Sequence, residues 1–199
     1  MADSLEVVEA KQKKDNREYF LEKVKTAPLL IEWANEKIRD DKQIMLEALK
    51  VDGGALEFAS KRLKDDKDIL LTAVKQAGWT GCYASERLKD DKEVILEAVK
   101  NDGQILYYAS ERLRDDEEVV LEAVKQKPLI YKYASLRLRG DKEIATIAIS
   151  NTKPKQRPTI IDFLSEELKN DKDFLAQFEE NSWFKSNSLI RYELLYLML

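Results

Sequence analysis

The sequence has 199 residues, 44% hydrophobic and 36% charged, and its 34 basic and 38 acidic residues leave a net charge of −4. Six glycines and four prolines make up about 5% of the chain, against about 12% on average, which disfavours turn-rich sandwiches, barrels and disordered tails. Without histidine, and with Cys82 as its one cysteine, the sequence has no nucleophile–histidine pair, HExxH zinc motif, CxxC redox pair or internal disulfide. We therefore expect neither an enzyme nor a cofactor.

The N-terminal segment, residues 1–15, begins acidic and lacks the apolar core of a signal peptide. Within it, Leu5–Lys14 is predicted to form a helix that caps the N-terminal end of the fold. No apolar stretch reaches the roughly 20 residues that span a bilayer. We expect a cytoplasmic protein without a membrane span, or one delivered to a host cell without a classical signal peptide.

From residue 16 the chain repeats itself with a period of 25 residues. Repeats one to six begin at Asn16, Asp41, Asp66, Asp91, Asp116 and Asp141. Further along each repeat, an aromatic residue recurs at an equivalent position, and in most repeats alanine and serine follow it. These aromatic residues are Trp33, Phe58, Tyr83, Tyr108, Tyr133 and Phe163. The regular spacing predicts a tandem array of small structural units.

Each repeat is predicted to contain two helices. In repeat four the first helix covers Asp91–Lys100, with Asp90 as its N-cap and Glu93 completing a capping box. Glycine or proline then opens a second helix, here predicted over Gly103–Arg114. Helix pairs this short bury their apolar faces only by stacking, so we expect an all-α fold, an α-solenoid.

The C-terminal part departs from the period. An insertion of five residues within residues 151–157 places the seventh unit at Asp171, 30 residues after Asp141. We expect one domain over residues 1–199, with six repeats in 16–170 and a degenerate repeat and cap in 171–199. The apolar segment Ser188–Leu199 is predicted to cap the stack, with dimerisation or partner docking as the alternative. We expect a monomer rather than a dimer.

The residues Tyr108-Ala109-Ser110-x-Arg112-Leu113-Arg114-Asp115-Asp116 and their counterparts resemble the helical repeat catalogued as domain of unknown function 4116. The resemblance covers Asn16 to about Leu168. It implies a repeat scaffold with no catalytic motif, and similar arrays in amoeba-associated intracellular bacteria extend the expectation to a host-directed protein.

The candidate binding residues are those that vary between repeats, because packing requires the invariant positions. Five unusual residues predict an apolar patch for a protein partner: Trp79, Cys82, Tyr107, Tyr131 and Leu136. The alternative is that some of them are half-buried and fill local gaps. We accordingly predict a protein-interaction scaffold whose partner the sequence does not identify.

A second interpretation uses arginines four residues after the aromatic position, on the same face of a continuous helix. Together with the aromatic residues, these side chains would bind an anionic ligand or RNA. They are Arg62, Arg87, Arg112 and Arg137. Net negative charge and a position in the last helical turn argue against this interpretation, and we do not expect nucleic acid as a partner.

Overall fold

A computed structural model of the chain describes residues 4–179, and all of its regular elements in that range are helical. Repeats one to four each contain a long α-helix, a 3₁₀ helix and a short α-helix. The long helices are Arg17–Lys23, Lys42–Val51, Lys67–Gln76, Lys92–Asn101, Glu117–Gln126, Lys142–Ser150 and Lys172–Glu179. The 3₁₀ helices of repeats one to five are Pro28–Trp33, Gly53–Phe58, Gly78–Tyr83, Gly103–Tyr108 and Pro128–Tyr133. The short helices are Glu36–Arg39, Lys61–Lys64, Glu86–Lys89, Glu111–Arg114 and Glu166–Lys169.

The long helix is the element that the sequence predicts best. In repeat four it covers Lys92–Asn101, one residue from the predicted bounds at each end. Its N-cap, however, is the second aspartate of the pair, since the Asp91 carboxylate accepts from Val94 N. The prediction that Asp90 caps this helix was wrong, because Asp90 ends the preceding short helix.

The predicted second helix was wrong as one continuous element. Ala109 has φ −64° and ψ 152°, an extended conformation that stops the 3₁₀ helix. Ser110 is also extended and caps a new helix by accepting from Leu113 N at 3.2 Å. A hydroxyl side chain can satisfy a free amide at a helix start, so the alanine–serine pair bends the chain between two short helices.

The long helices of neighbouring repeats pack side by side in one layer, and the 3₁₀ helices lie beside one another in a second layer. Each long helix from repeat two to repeat five packs on the 3₁₀ helices of its own repeat and of the preceding one. In the long helix of repeat four, four fully buried side chains face these neighbours: Val94, Ile95, Ala98 and Val99. The array therefore buries an apolar core that runs through successive repeats.

Glycine at the start of three 3₁₀ helices allows the layers to approach closely. A Cβ atom on Gly53, Gly78 or Gly103 would lie 2.6–2.8 Å from a carbonyl oxygen in the long helix of the next repeat. That separation is shorter than a side chain can adopt beside backbone, so the position excludes any Cβ unless the repeats move apart.

The ends of the array and its sixth repeat depart from the pattern. The helix Leu5–Gln12 packs on repeat one through the fully buried Ala10, as the predicted N-terminal cap. Repeat five closes with a 3₁₀ helix, Leu138–Gly140, instead of a short α-helix. The insertion in repeat six forms the 3₁₀ helix Pro154–Gln156, followed by the α-helix Arg157–Phe163. The predicted C-terminal segment Ser188–Leu199 lies outside the described residues.

Within residues 4–179, no helix combines the length and apolar character that a bilayer crossing requires.

Replacing Gly103 with alanine should destabilise the array, because the new Cβ would meet the Ala123 carbonyl oxygen at 2.6 Å. Overpacking of this kind lowers the free energy of unfolding by about 1–3 kcal/mol, which urea denaturation would measure. Gly54→Ala is the matched control, since its nearest neighbours are side-chain atoms of Asp52 and Trp79 at 3.0 and 3.4 Å. Equal unfolding free energies for the two variants would contradict the close-approach argument.

Candidate partner-binding surface

The exposed apolar side chains concentrate on one surface, which we call the 3₁₀ face because it is formed by the 3₁₀ helices of repeats one to five. Trp79 is 44% exposed, Tyr107 52% and Tyr108 41%. Leu29 and Leu129 are also exposed there, at the position that Trp79 occupies in repeat three. Large apolar side chains left in water at regular intervals indicate a surface that a partner can cover.

Three of the five predicted binding residues lie on the 3₁₀ face. Trp79 lies against Gly54 of the preceding repeat, and its ring is 5.9 Å from that of Tyr83 in an edge-on arrangement. Tyr107 lies in repeat four and contacts Tyr133 of repeat five. Cys82 is half-buried in the same 3₁₀ helix as Trp79, and burial raises the pKa of its thiol. A raised pKa keeps the thiol protonated, and a protonated thiol is a poor nucleophile.

Tyr131 is not a surface residue. Its side chain is fully buried, and its hydroxyl donates to the Arg139 carbonyl oxygen at 2.7 Å. Burial raises the pKa of Tyr131, as expected for a phenol removed from water. The same position holds Ile31, Leu56 and Leu106 in other repeats, all of them buried, so Tyr131 occupies a core position.

Leu136 is exposed but lies apart from the other candidates. It is 69% exposed and is located in the turn before the 3₁₀ helix Leu138–Gly140, not on the 3₁₀ face. The structure therefore does not bring the five predicted residues into one patch. Trp79, Cys82 and Tyr107 share the 3₁₀ face with three exposed residues that were not among the five predicted for a protein partner: Leu29, Tyr108 and Leu129.

A groove of about 580 Å³ opens at the C-terminal end of the 3₁₀ face. Its lining comes from the 3₁₀ helices of repeats four and five and from the insertion in repeat six. The apolar part contains Tyr107, Tyr108, Leu129 and Tyr133, and the polar part contains lysines and amide side chains. The polar residues are Gln104, Gln126, Lys127, Lys132, Asn151, Thr152, Lys153 and Gln156.

The arginines of the anion-binding interpretation are engaged within the array. The Nε atoms of Arg62, Arg87, Arg112 and Arg137 donate at 2.9–3.1 Å to the aspartate that closes the preceding short helix. Their Nη2 atoms donate to the backbone carbonyl of the same aspartate. The bend at alanine–serine also separates these arginines from the aromatic residues, so the shared helical face that the interpretation assumed is absent.

A serine completes each of these contacts. The hydroxyls of Ser60, Ser85, Ser110 and Ser135 donate to Asp40, Asp65, Asp90 and Asp115 respectively. The serine hydrogen bond, and then the arginine, lower the pKa of all four carboxyl groups. We call this set of contacts the serine–aspartate–arginine ladder. It connects repeats one to five.

The lowered carboxyl pKa values predict acid sensitivity. Each carboxylate is a stronger acid in the folded chain than in the unfolded chain, where its pKa is about 3.9. Its contribution to stability is therefore complete above that value and is lost as the pH falls through the lower, folded pKa. We expect the melting temperature, followed by circular dichroism, to fall between about pH 5 and pH 3.

Asp65→Asn together with Asp90→Asn should flatten that pH dependence, because two ladder carboxyls no longer titrate. Glu111→Gln, at an exposed position outside the ladder, is the matched control and should leave the slope unchanged. If the double variant kept the wild-type slope, the ladder would not be the origin of the acid sensitivity.

A second set of ion pairs joins the starts of the long helices. Lys42, Lys67 and Lys92 bind the N-cap aspartate of the next repeat at 2.7–2.9 Å, and Lys142 binds Asp171 at 2.7 Å. Repeat five has Glu117 at this position, and Glu117 instead binds Arg137 at 2.9 Å. The ladder also stops here, since Gly140 and Glu167 stand where aspartate and arginine are expected. The junction of repeats five and six thus lacks both contacts.

Replacing Glu117 with lysine should restore the missing ion pair with Asp141. Because Glu117→Lys also removes the pair with Arg137, the reference is Glu117→Gln, which loses that pair without adding a cation. Exposed pairs contribute about 0.2–1 kcal/mol, so we expect the free energy of unfolding of Glu117→Lys, measured by urea denaturation, to exceed that of Glu117→Gln by that amount. Glu118→Lys is the matched control, because it removes the carboxylate that Lys92 binds at 2.9 Å. A stability loss in Glu117→Lys equal to that of the control would contradict the expected pair.

The repeated helical units, their shared register and their contacts with adjacent repeats define a helical tandem-repeat protein. The chain belongs to the family described as Domain of unknown function (DUF4116), which matches residues 16–64, 41–89, 66–114, 91–139 and 116–153. The five matches begin at the first residues of repeats one to five, which confirms the 25-residue register. No curated protein and no solved structure matches the chain.

Proposed function

We propose that this protein is an α-solenoid that acts as a non-catalytic scaffold for protein–protein interaction. This proposal rests on the 3₁₀ face, where five large apolar side chains are exposed on a regular framework. They are Leu29, Trp79, Tyr107, Tyr108 and Leu129. Tryptophan and tyrosine provide much of the binding energy at protein interfaces, because large, rigid rings bury area at low entropic cost. A preformed row of such residues favours recognition of another protein.

The side chains available in this protein do not favour a catalytic function. The sequence has no histidine, and the pKa of the Cys82 thiol is raised rather than lowered. Within residues 4–179, no group of three or more cysteine, aspartate or glutamate residues converges on a metal-sized site. In the four aspartate pairs between Asp40 and Asp116, the first carboxylate binds serine and arginine of the next repeat and the second caps a long helix, so both are engaged in structural contacts.

An anionic-ligand or RNA-binding function has less support. It requires arginine side chains that are free to bind phosphate, whereas Arg62, Arg87 and Arg112 are held by aspartates. Binding through these arginines would weaken steeply with added salt, because counterions are released from the nucleic acid.

The proposed location is a reducing compartment, either the cytoplasm or a host cell. A free Cys82 agrees with such a compartment, where disulfides rarely form. The host-cell alternative follows the resemblance to repeat arrays of amoeba-associated bacteria. We propose that the protein is a monomer, since one copy of the chain forms the whole 3₁₀ face.

Trp79→Ala combined with Tyr107→Ala should remove partner binding, because it takes away two exposed rings of the 3₁₀ face. The immobilised full chain would capture proteins from lysate of the source cells, and cross-linking mass spectrometry would map each contact. We expect contacts on the 3₁₀ face in the wild type and at least about a tenfold loss of captured protein in the double variant, equivalent to about 1.4 kcal/mol.

Leu136→Ala is the matched control, since Leu136 is equally apolar and exposed but lies off the 3₁₀ face. It should capture the wild-type amount. The proposal fails if the folded double variant still captures all the partners of the wild type. It also fails if every cross-linked contact maps to the region around Leu136 instead of the 3₁₀ face.

A further inference from the structure

The groove at the junction of repeats four, five and six has a charge unlike that of the whole chain. Its lining contains Lys127, Lys132 and Lys153 and no aspartate or glutamate, although the chain carries a net charge of −4. Lys127 is bound to Asp102 at 2.7 Å, which leaves the excess positive charge on Lys132 and Lys153, both exposed. This local reversal of charge favours an acidic occupant.

The insertion in repeat six supplies part of this basic rim. Residues 151–157 contain Lys153, Lys155 and Arg157 and no acidic residue. Lys153 and Gln156 line the groove directly. The one interruption of the 25-residue period therefore adds a basic wall beside the aromatic residues of repeats four and five.

The polar groups of the groove match an extended peptide backbone. Gln104, Gln126, Asn151 and Gln156 are exposed and line the groove. Each side-chain amide offers both a donor and an acceptor, the combination that pairs with backbone N–H and C=O groups. A volume of about 580 Å³ lies in the range of about 300–1,000 Å³ that encloses a small ligand, so the groove holds a short segment rather than a folded domain.

The aromatic geometry favours a peptide over a single-stranded nucleic acid. The Tyr107 ring contacts Tyr108 and Tyr133 edge-on, with centroids 4.9 and 4.8 Å apart. Lys132 Nζ covers the Tyr133 ring at 4.7 Å, so these rings do not present a row of open faces for bases to stack on. Exposed Glu57 of repeat two and Asp162 of repeat six occupy the position that Tyr107 holds in repeat four, and they would repel a polyanion that continued along the array.

We propose that this groove binds a short, extended segment of a partner protein that carries an apolar or aromatic side chain flanked by aspartate or glutamate. The apolar side chain contacts Tyr107, Tyr108 and Leu129, and the acidic side chains pair with Lys132 and Lys153. This inference rests on the proposed scaffold function and assigns one binding site within the 3₁₀ face.

The test is a selection from a displayed random-peptide library on the full chain. We expect enriched peptides to contain acidic residues around an apolar one. A synthetic copy of the strongest peptide, measured by fluorescence anisotropy, should bind Tyr107→Ala and the Lys132→Glu/Lys153→Glu variant at least about tenfold more weakly. Lys75→Glu/Lys100→Glu, which reverses two exposed lysines outside the groove, is the matched control and should bind like the wild type.

The charge-reversed groove variant gives an independent reading, because a library selected on it should favour basic flanking residues. Enrichment of peptides without acidic residues, equal loss of binding in the control, or failure to select any peptide would overturn the inference. Binding of an oligouridine probe that only the groove variants abolish would also overturn it. If lysate partners still bound through Trp79 in those cases, the scaffold function would stand and only the groove assignment would fail.

Discussion

The array depends on one serine in each of repeats two to five, which satisfies three hydrogen-bonding requirements at the bend after the 3₁₀ helix. In repeat four, the Ser110 hydroxyl caps the short helix at Leu113 and donates to Asp90 of the preceding repeat. Its backbone N–H donates to the Lys89 carbonyl oxygen at 3.0 Å. Because local folding and inter-repeat contact use the same residue, a repeat gains its full set of hydrogen bonds only when it is docked.

This coupling explains which structural elements can be predicted from the sequence and which cannot. The 25-residue period, the long helices and the N-terminal cap follow from apolar periodicity and helix-start residues, which act locally. The bend at Ala109 and Ser110 does not, because residues 103–114 also suit one continuous helix. Serine at Ser110 is itself the signal, since it caps a helix better than it continues one.

The residues of the 3₁₀ face can likewise be predicted only in part from the sequence. Trp79 and Tyr107 can be selected from sequence because they differ from their counterparts in other repeats. Tyr131 differs in the same way, yet Ile31 and Leu106 at that position already mark it as core. The groove cannot be predicted from the sequence, because it combines side chains from three repeats with an insertion whose path the period does not determine.

The interruption of the period and the groove lie at a junction that lacks the glycine contact of repeats two to four. In repeats two to four, glycine lets the 3₁₀ helix lie against the long helix of the next repeat. Repeat five has Pro128 there, and the carbonyl of Ala148 that it would approach accepts the Thr152 hydroxyl at 2.7 Å instead. Proline cannot make the same close approach, because it carries a Cβ. Repeat one also has proline at this position, Pro28, so the glycine contact belongs to repeats two to four, and in repeat five its absence coincides with the insertion that lines the groove.

The high charge content acquires a structural explanation from these contacts. Aspartate, arginine and lysine recur because they bind between repeats, so these recurring charged positions are engaged in the array. Lys132 and Lys153 do not belong to either set of inter-repeat ion pairs, and they lie where both sets stop. A repeat protein keeps its binding chemistry at positions that stacking does not require. In this chain, exposed positions that stacking does not require lie on the 3₁₀ helices and in the insertion of repeat six, and those of repeats four to six line the groove.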